Sequence, residues 1–123
     1  TDVTIVATGH LVWEALEAAK TLQTNGISAE VINIHTIKPL DKDIIIKSVG
    51  KTGAIVTAEE HNYLGGLGES VARVLAESTP TPQEFIATQD TFGESGTPAQ
   101  LMDKYGLNAA AIVKASEKVI QRK

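Results

Sequence analysis

The chain alternates short β-branched runs with longer segments in which apolar residues recur every three or four positions. That alternation organises everything else. Val3-Thr4-Ile5-Val6-Ala7-Thr8 reads as a strand closed by Gly9-His10. The segment after it predicts a helix whose stripe is Val12, Ala15, Leu16, Ala19 and Leu22, stopped by Gly26 in a left-handed turn. Ala29 to Ile34 is the next strand. Pro39 biases Lys38 away from helix, so Ile37 to Leu40 is extended, and Asp41 then caps a helix carrying Ile44, Ile45 and Val49 that ends near Gly50 or Gly53. Ala54 to Thr57 opens a third strand. Its helix carries Leu67, Val71, Val74 and Leu75 and stops at Ser78-Thr79-Pro80-Thr81-Pro82, ahead of a weaker strand from Glu84 to Thr88. Gln89 to Gly96 reads as an irregular loop. Thr97-Pro98 starts a short helix through Lys104 that Gly106 ends, and Asn108 caps a last helix packing through Ile112, Ala115, Val119 and Ile120.

Strand and helix in regular alternation, with crossovers of this length, imply a parallel sheet covered on both faces. Right-handed crossovers then favour the strand order 2-1-3-4 in a three-layer α/β/α domain. In that order the connections leave the first and third strands in opposite directions, so a crevice opens beyond their carboxyl ends. Gly9, His10, Glu60 and His61 would meet there. These four, with Gly65, Gly66, Gly68 and Glu69, form the candidate crevice or interface.

Composition narrows the function without naming it. The chain has 123 residues, 42% hydrophobic and 21% charged, which suits one globular domain over residues 1–123. With 15 acidic against 11 basic side chains, it offers no general basic surface for nucleic acid or anionic membrane. It has no cysteine, which excludes disulfides and thiolate metal sites. No apolar run approaches the roughly 20 residues that a membrane span needs. The abrupt start at Thr1-Asp2, with a strand from Val3, suggests a piece of a longer protein.

The polar residues at the crevice resist a catalytic reading. Glu59 and Glu60 are neighbours in a strand and point to opposite faces, so one is expected to cap a loop or pair with a base while the other meets solvent. His10 and His61 lack a third ligand for a metal. The glycines before the third helix would suit a phosphate, but Glu69 in its first turn answers the helix dipole and repels an anion, so close backbone packing is the better reading. Neither Ser95 nor Ser70 lies in a nucleophile motif. Trp13 lies off the helical stripe, as a core edge or, if exposed, an interface anchor.

The chain resembles the C-terminal domain of transketolase along nearly its whole length. The specific stretches are Thr36-Ile37-Lys38-Pro39-Leu40-Asp41 and Glu59-Glu60-His61 followed by Gly65-Gly66-Leu67-Gly68-Glu69, supported by Glu14-Ala15, Ser95-Gly96-x-Pro98-Ala99-x-Leu101 and Tyr105-Gly106-Leu107. Other thiamine diphosphate enzymes share the domain, among them the β subunit of 2-oxo acid dehydrogenases and deoxyxylulose phosphate synthase. The resemblance implies a part of a cytoplasmic homodimer of the pentose phosphate pathway, which moves a two-carbon ketol unit between sugar phosphates using thiamine diphosphate and Mg. It also implies that cofactor and catalysis belong to preceding domains or an N-terminal subunit. The Gly-Asp-Gly of the family's cofactor motif does not occur here, and no cofactor, metal or catalytic residue is expected in this domain alone. The resemblance also implies an antiparallel strand ahead of the Val3 strand, for which this chain starts too late unless Thr1 and Asp2 are its remnant, and its loss would leave a sheet edge open. A regulatory module binding a small ligand at Gly9, His10, Glu60 and His61 is the alternative from the residues themselves, and a free-standing structural dimer with an apolar patch at Trp13 is a third.

Overall fold

A computed structural model describes residues 1–34, 40–62, 66–88 and 107–123, apart from the side chains of 60–62 and 88. The expectations at Thr36 to Pro39, at Gly65, for the Gln89 to Gly96 loop and for the Thr97 helix lie outside these residues.

Four parallel strands form one sheet: β1 (Val3–Ala7), β2 (Ala29–Asn33), β3 (Ile55–Asn62) and β4 (Gln83–Thr88). Their order is β2-β1-β3-β4, as the crossover argument requires. β1 lies inside the sheet, with Val6 opposite Ile32 on one side and Thr57 on the other. Alternation along it feeds two cores. Val3, Ile5 and Ala7 pack with α1 (Leu11–Thr24) and α4 (Ala109–Gln121), while Val6 packs with α2 (Lys42–Thr52) and α3 (Leu67–Ser78).

Thr4 lies on the second face and meets hydroxyls there. Its Oγ1 is 2.7 Å from Ser48 Oγ and 2.8 Å from Thr52 Oγ1, and Thr52 also donates to the carbonyl of Ala54. All three side chains are buried, so their polar groups satisfy one another where water does not reach. The inner face of α2 is consequently Ile45, Ser48, Val49 and Thr52, not the Ile44, Ile45 and Val49 of the hydrophobic pattern, and Ile44 is 43% exposed. Asp41 caps this helix by accepting from Ile44 N, and the helix runs through Gly50 to a left-handed Gly53.

α1 is also rotated from its predicted phase. The buried residues are Leu11, Ala15, Ala18 and Leu22, and Leu16 is 42% exposed. Eight apolar residues between 11 and 22 cover more than one face. Packing against β1 and α4 selects between the two stripes they offer.

α4 is fastened at both ends. Asn108 accepts from Ala111 N at 2.9 Å, and Glu14 of α1 accepts from Ala109 N at 3.1 Å, so two of the first amides have partners. At the other end Arg122 donates to the carbonyl of Gln83 and pairs with Glu84, which Lys118 also approaches.

Candidate functional site

The carboxyl ends of β1 and β3 lie side by side. Ala7 is level with Ala58, and Thr8 N donates to the Ala58 carbonyl at 3.2 Å. The chain leaves β1 for α1 on one face and β3 for α3 on the other, which is the reversal that opens a crevice. Gly9 turns the chain with a φ of 59°, and His10 follows as the exposed N-cap residue of α1 without a side-chain cap. Glu60 and His61 continue the backbone of β3, which runs to Asn62. Their side chains lie outside the described residues, as does Gly65.

Glu59 is the residue that defines this end of the fold. It is 2% exposed, and its two carboxylate oxygens accept from successive amides at the start of α3, from Leu67 N at 2.9 Å and Gly68 N at 2.7 Å. A carboxylate so placed satisfies two orphan donors and meets the positive end of the helix dipole. It caps a helix rather than a loop. This adds to the reason for setting phosphate aside: the amides that would hold one are engaged by Glu59, and Glu69 lies in the first turn as expected.

The glycines allow this first turn to sit close to the sheet. Gly66 is the extended N-cap residue of α3 and carries no side-chain cap. Gly68 is buried against β4, where an added Cβ would come within 2.5 Å of Phe85 Cδ2 and 3.1 Å of Thr57 Oγ1. Gln83 closes the group, its Nε2 donating to the Gly68 carbonyl at 3.0 Å and to Thr57 Oγ1 at 3.1 Å. Close packing is what Gly68 serves. Glu59, Thr57 and Gln83 were not among the candidate crevice residues. Period-2 alternation from Glu59 would have placed Thr57 on the same face, but no pattern in the sequence points to Gln83.

The remaining features are peripheral. Trp13 is 70% exposed and, with Leu16, Lys20, Gln23, Ile27 and Ala29, lines an open groove of about 660 Å³ beside β2. Among the described residues no three His, Asp or Glu side chains lie close enough to hold a metal ion, and no helix is long and apolar enough to cross a membrane. With the α3 amides taken as well, the described residues do not fit a diphosphate and its metal.

Fold and site together define a doubly wound α/β domain in which a buried carboxylate at the switch point engages the first amides of α3. The family model for the transketolase C-terminal domain matches residues 1–112, and the chain belongs to that family. A 6-deoxy-6-sulfo-D-fructose transketolase subunit of Clostridium sp. is 48% identical over 99% of this chain and 38% of its own length. A 1-deoxy-D-xylulose-5-phosphate synthase of Geobacter sulfurreducens is 41% identical over 99% of this chain and 20% of its own. Among solved structures, a split-gene transketolase described as an inactive beta4 tetramer is 48% identical, with a TM-score of 0.94 over 98% of this chain and 39% of that one. The chain thus spans about two fifths or less of each of these relatives.

Proposed function

We propose that this chain is the assembly part of a transketolase, either its third domain or the corresponding stretch of a split C-terminal subunit, and that alone it catalyses nothing. Residues 1–123 form one such domain in this reading. The complete enzyme would transfer a two-carbon ketol unit between sugar phosphates of the pentose phosphate pathway as a cytoplasmic homodimer. Thiamine diphosphate and Mg would supply the carbanion chemistry from a cleft on the preceding polypeptide. Packed against that polypeptide, the Glu60 to Glu69 segment and the Gln89 to Gly96 loop would help hold the cleft together. Gly9 and His10, at the neighbouring strand end, would belong to the same face.

The observation that carries this reading is the engagement of the α3 amides by Glu59, which leaves the switch point built for packing. The family membership and the inactive tetramer described for the split-gene relative support it. The chain with thiamine diphosphate and Mg should show no ketol transfer, and turnover by this chain alone refutes the reading.

The synthase relative favours a second reading, the same domain within a deoxyxylulose phosphate synthase. Assaying the complete enzyme for both products separates the two.

A further inference from the structure

We infer that Glu59 is a positioning residue for assembly, holding the end of β3 and the first turn of α3 as one rigid face for the preceding polypeptide of the enzyme. An ordinary helix cap is local: a Ser, Thr, Asp or Asn at the N-cap position stabilises its own helix. In α3 that position is Gly66, which contributes no side chain, and the cap is delivered from a neighbouring strand. Capping from β3 makes the position of α3 depend on the position of the strand end.

The strand end needs such a tie. Between Ala58, opposite Ile86, and Asn62, opposite Thr88, β3 uses more residues than β4, so the ladder is interrupted by a bulge. A bulge bends its strand and leaves residues unpaired, so between Ala58 and Asn62 the ladder to β4 does not set the path of β3. Glu59 lies inside the bulge. Its two hydrogen bonds restore the lost constraint, while Gln83 and Phe85 of β4 hold Gly68 from the other side. The backbone of Glu60, His61 and Asn62 and the exposed side of α3 at Glu69 are thereby fixed with respect to each other. Resting on the assembly role proposed above, this makes a residue buried in the domain a determinant of how tightly the enzyme associates.

Three variants of the enzyme, purified in its assembled form, test the inference by sedimentation velocity across a dilution series, alongside thermal unfolding. Glu69→Arg changes the exposed side of the turn. Glu59→Gln removes one acceptor from the tie, and Ser48→Ala removes a buried hydroxyl in the helix layer below β1 as a control for stability. Glu69→Arg and Glu59→Gln are expected to raise the dissociation midpoint about tenfold or more, equivalent to about 1.4 kcal/mol, with Ser48→Ala leaving it unchanged. If Glu69→Arg weakens assembly and Glu59→Gln behaves as Ser48→Ala does, the positioning role is overturned and the assembly face stands. If Glu69→Arg leaves assembly intact, the face itself is wrong and the positioning role falls with it.

Discussion

Gly68 lies against the ring of Phe85 so closely that a Cβ there would come within 2.5 Å of Cδ2. The ring is 44% exposed and can swing outward, but Thr57 Oγ1, on the buried side at 3.1 Å, cannot yield as readily. Gly68→Ala is therefore expected to cost about 1–3 kcal/mol in urea unfolding, in the range of other overpacked sites. In a Phe85→Ala background the added cost should fall by about half or more, because the two positions share one space. An unchanged cost would place the strain elsewhere.

Glu14 joins α1 to α4 through the Ala109 amide. Glu14→Ala leaves that donor to its remaining options and should cost about 0.5–1.5 kcal/mol, the usual net value of such a bond. Amide exchange at the start of α4 should quicken with it. Exchange unaffected at Ala109 would mean the bond is not formed in solution.

The phase of α1 predicts opposite results for two of its large apolar residues. Leu22 is fully buried, and Leu22→Ala should destabilise by about 2–5 kcal/mol. Trp13 is 70% exposed, and Trp13→Ser should stay within about 0.5 kcal/mol of the parent. Leu16 is 42% exposed, so Leu16→Ser should also cost little, and chemical denaturation of that variant decides between this phase and the one read from Val12 and Leu16.

The pair formed by Glu30 and Lys51 gives a pH dependence. The hydrogen bond from the Lys51 ammonium, then that from the Ser48 hydroxyl, holds the Glu30 carboxyl below its ordinary value, with burial acting in the opposite sense. The ionised form is thus favoured by folding. Its stabilisation is complete above the unfolded value of about 4.3 and is lost as pH falls through the lower folded value. The Lys51 and Glu30 side chains are 49% and 31% exposed, so the contribution is about 1 kcal/mol at most. Glu30→Gln should flatten this part of the acid limb in a series of melting temperatures against pH. Superimposable parent and variant profiles would exclude the linkage.

The fold was legible because β-branched runs and helical spacing agreed on the type of each described element, and crossover handedness fixed the order of the strands. The helix faces were less legible, for two physical reasons. In α1 the apolar residues around 11 to 22 support more than one stripe, and only the partner surface chooses. In α2 the buried Ser48 and Thr52 look polar in sequence, because their hydrogen-bonding partner is Thr4, a residue forty-odd positions away. At the candidate site the sequence singled out Gly68, which packs against Phe85 and Thr57, but its candidate set held Glu60 and not Glu59. It could not reveal that Glu59 turns back onto α3, since that contact joins a strand to the helix that follows it, and periodicity speaks only for residues within one element.

The inner place of β1 bears on how the chain is made. Val3 to Ala7 are buried without exception, yet the neighbour on one flank is completed only after residue 55 has been synthesised. Until then a nascent chain carries a sticky apolar ribbon, open along one side to other nascent copies. Translation stalled before Ile55 would leave that flank of β1 without its neighbour and the chain dependent on chaperones.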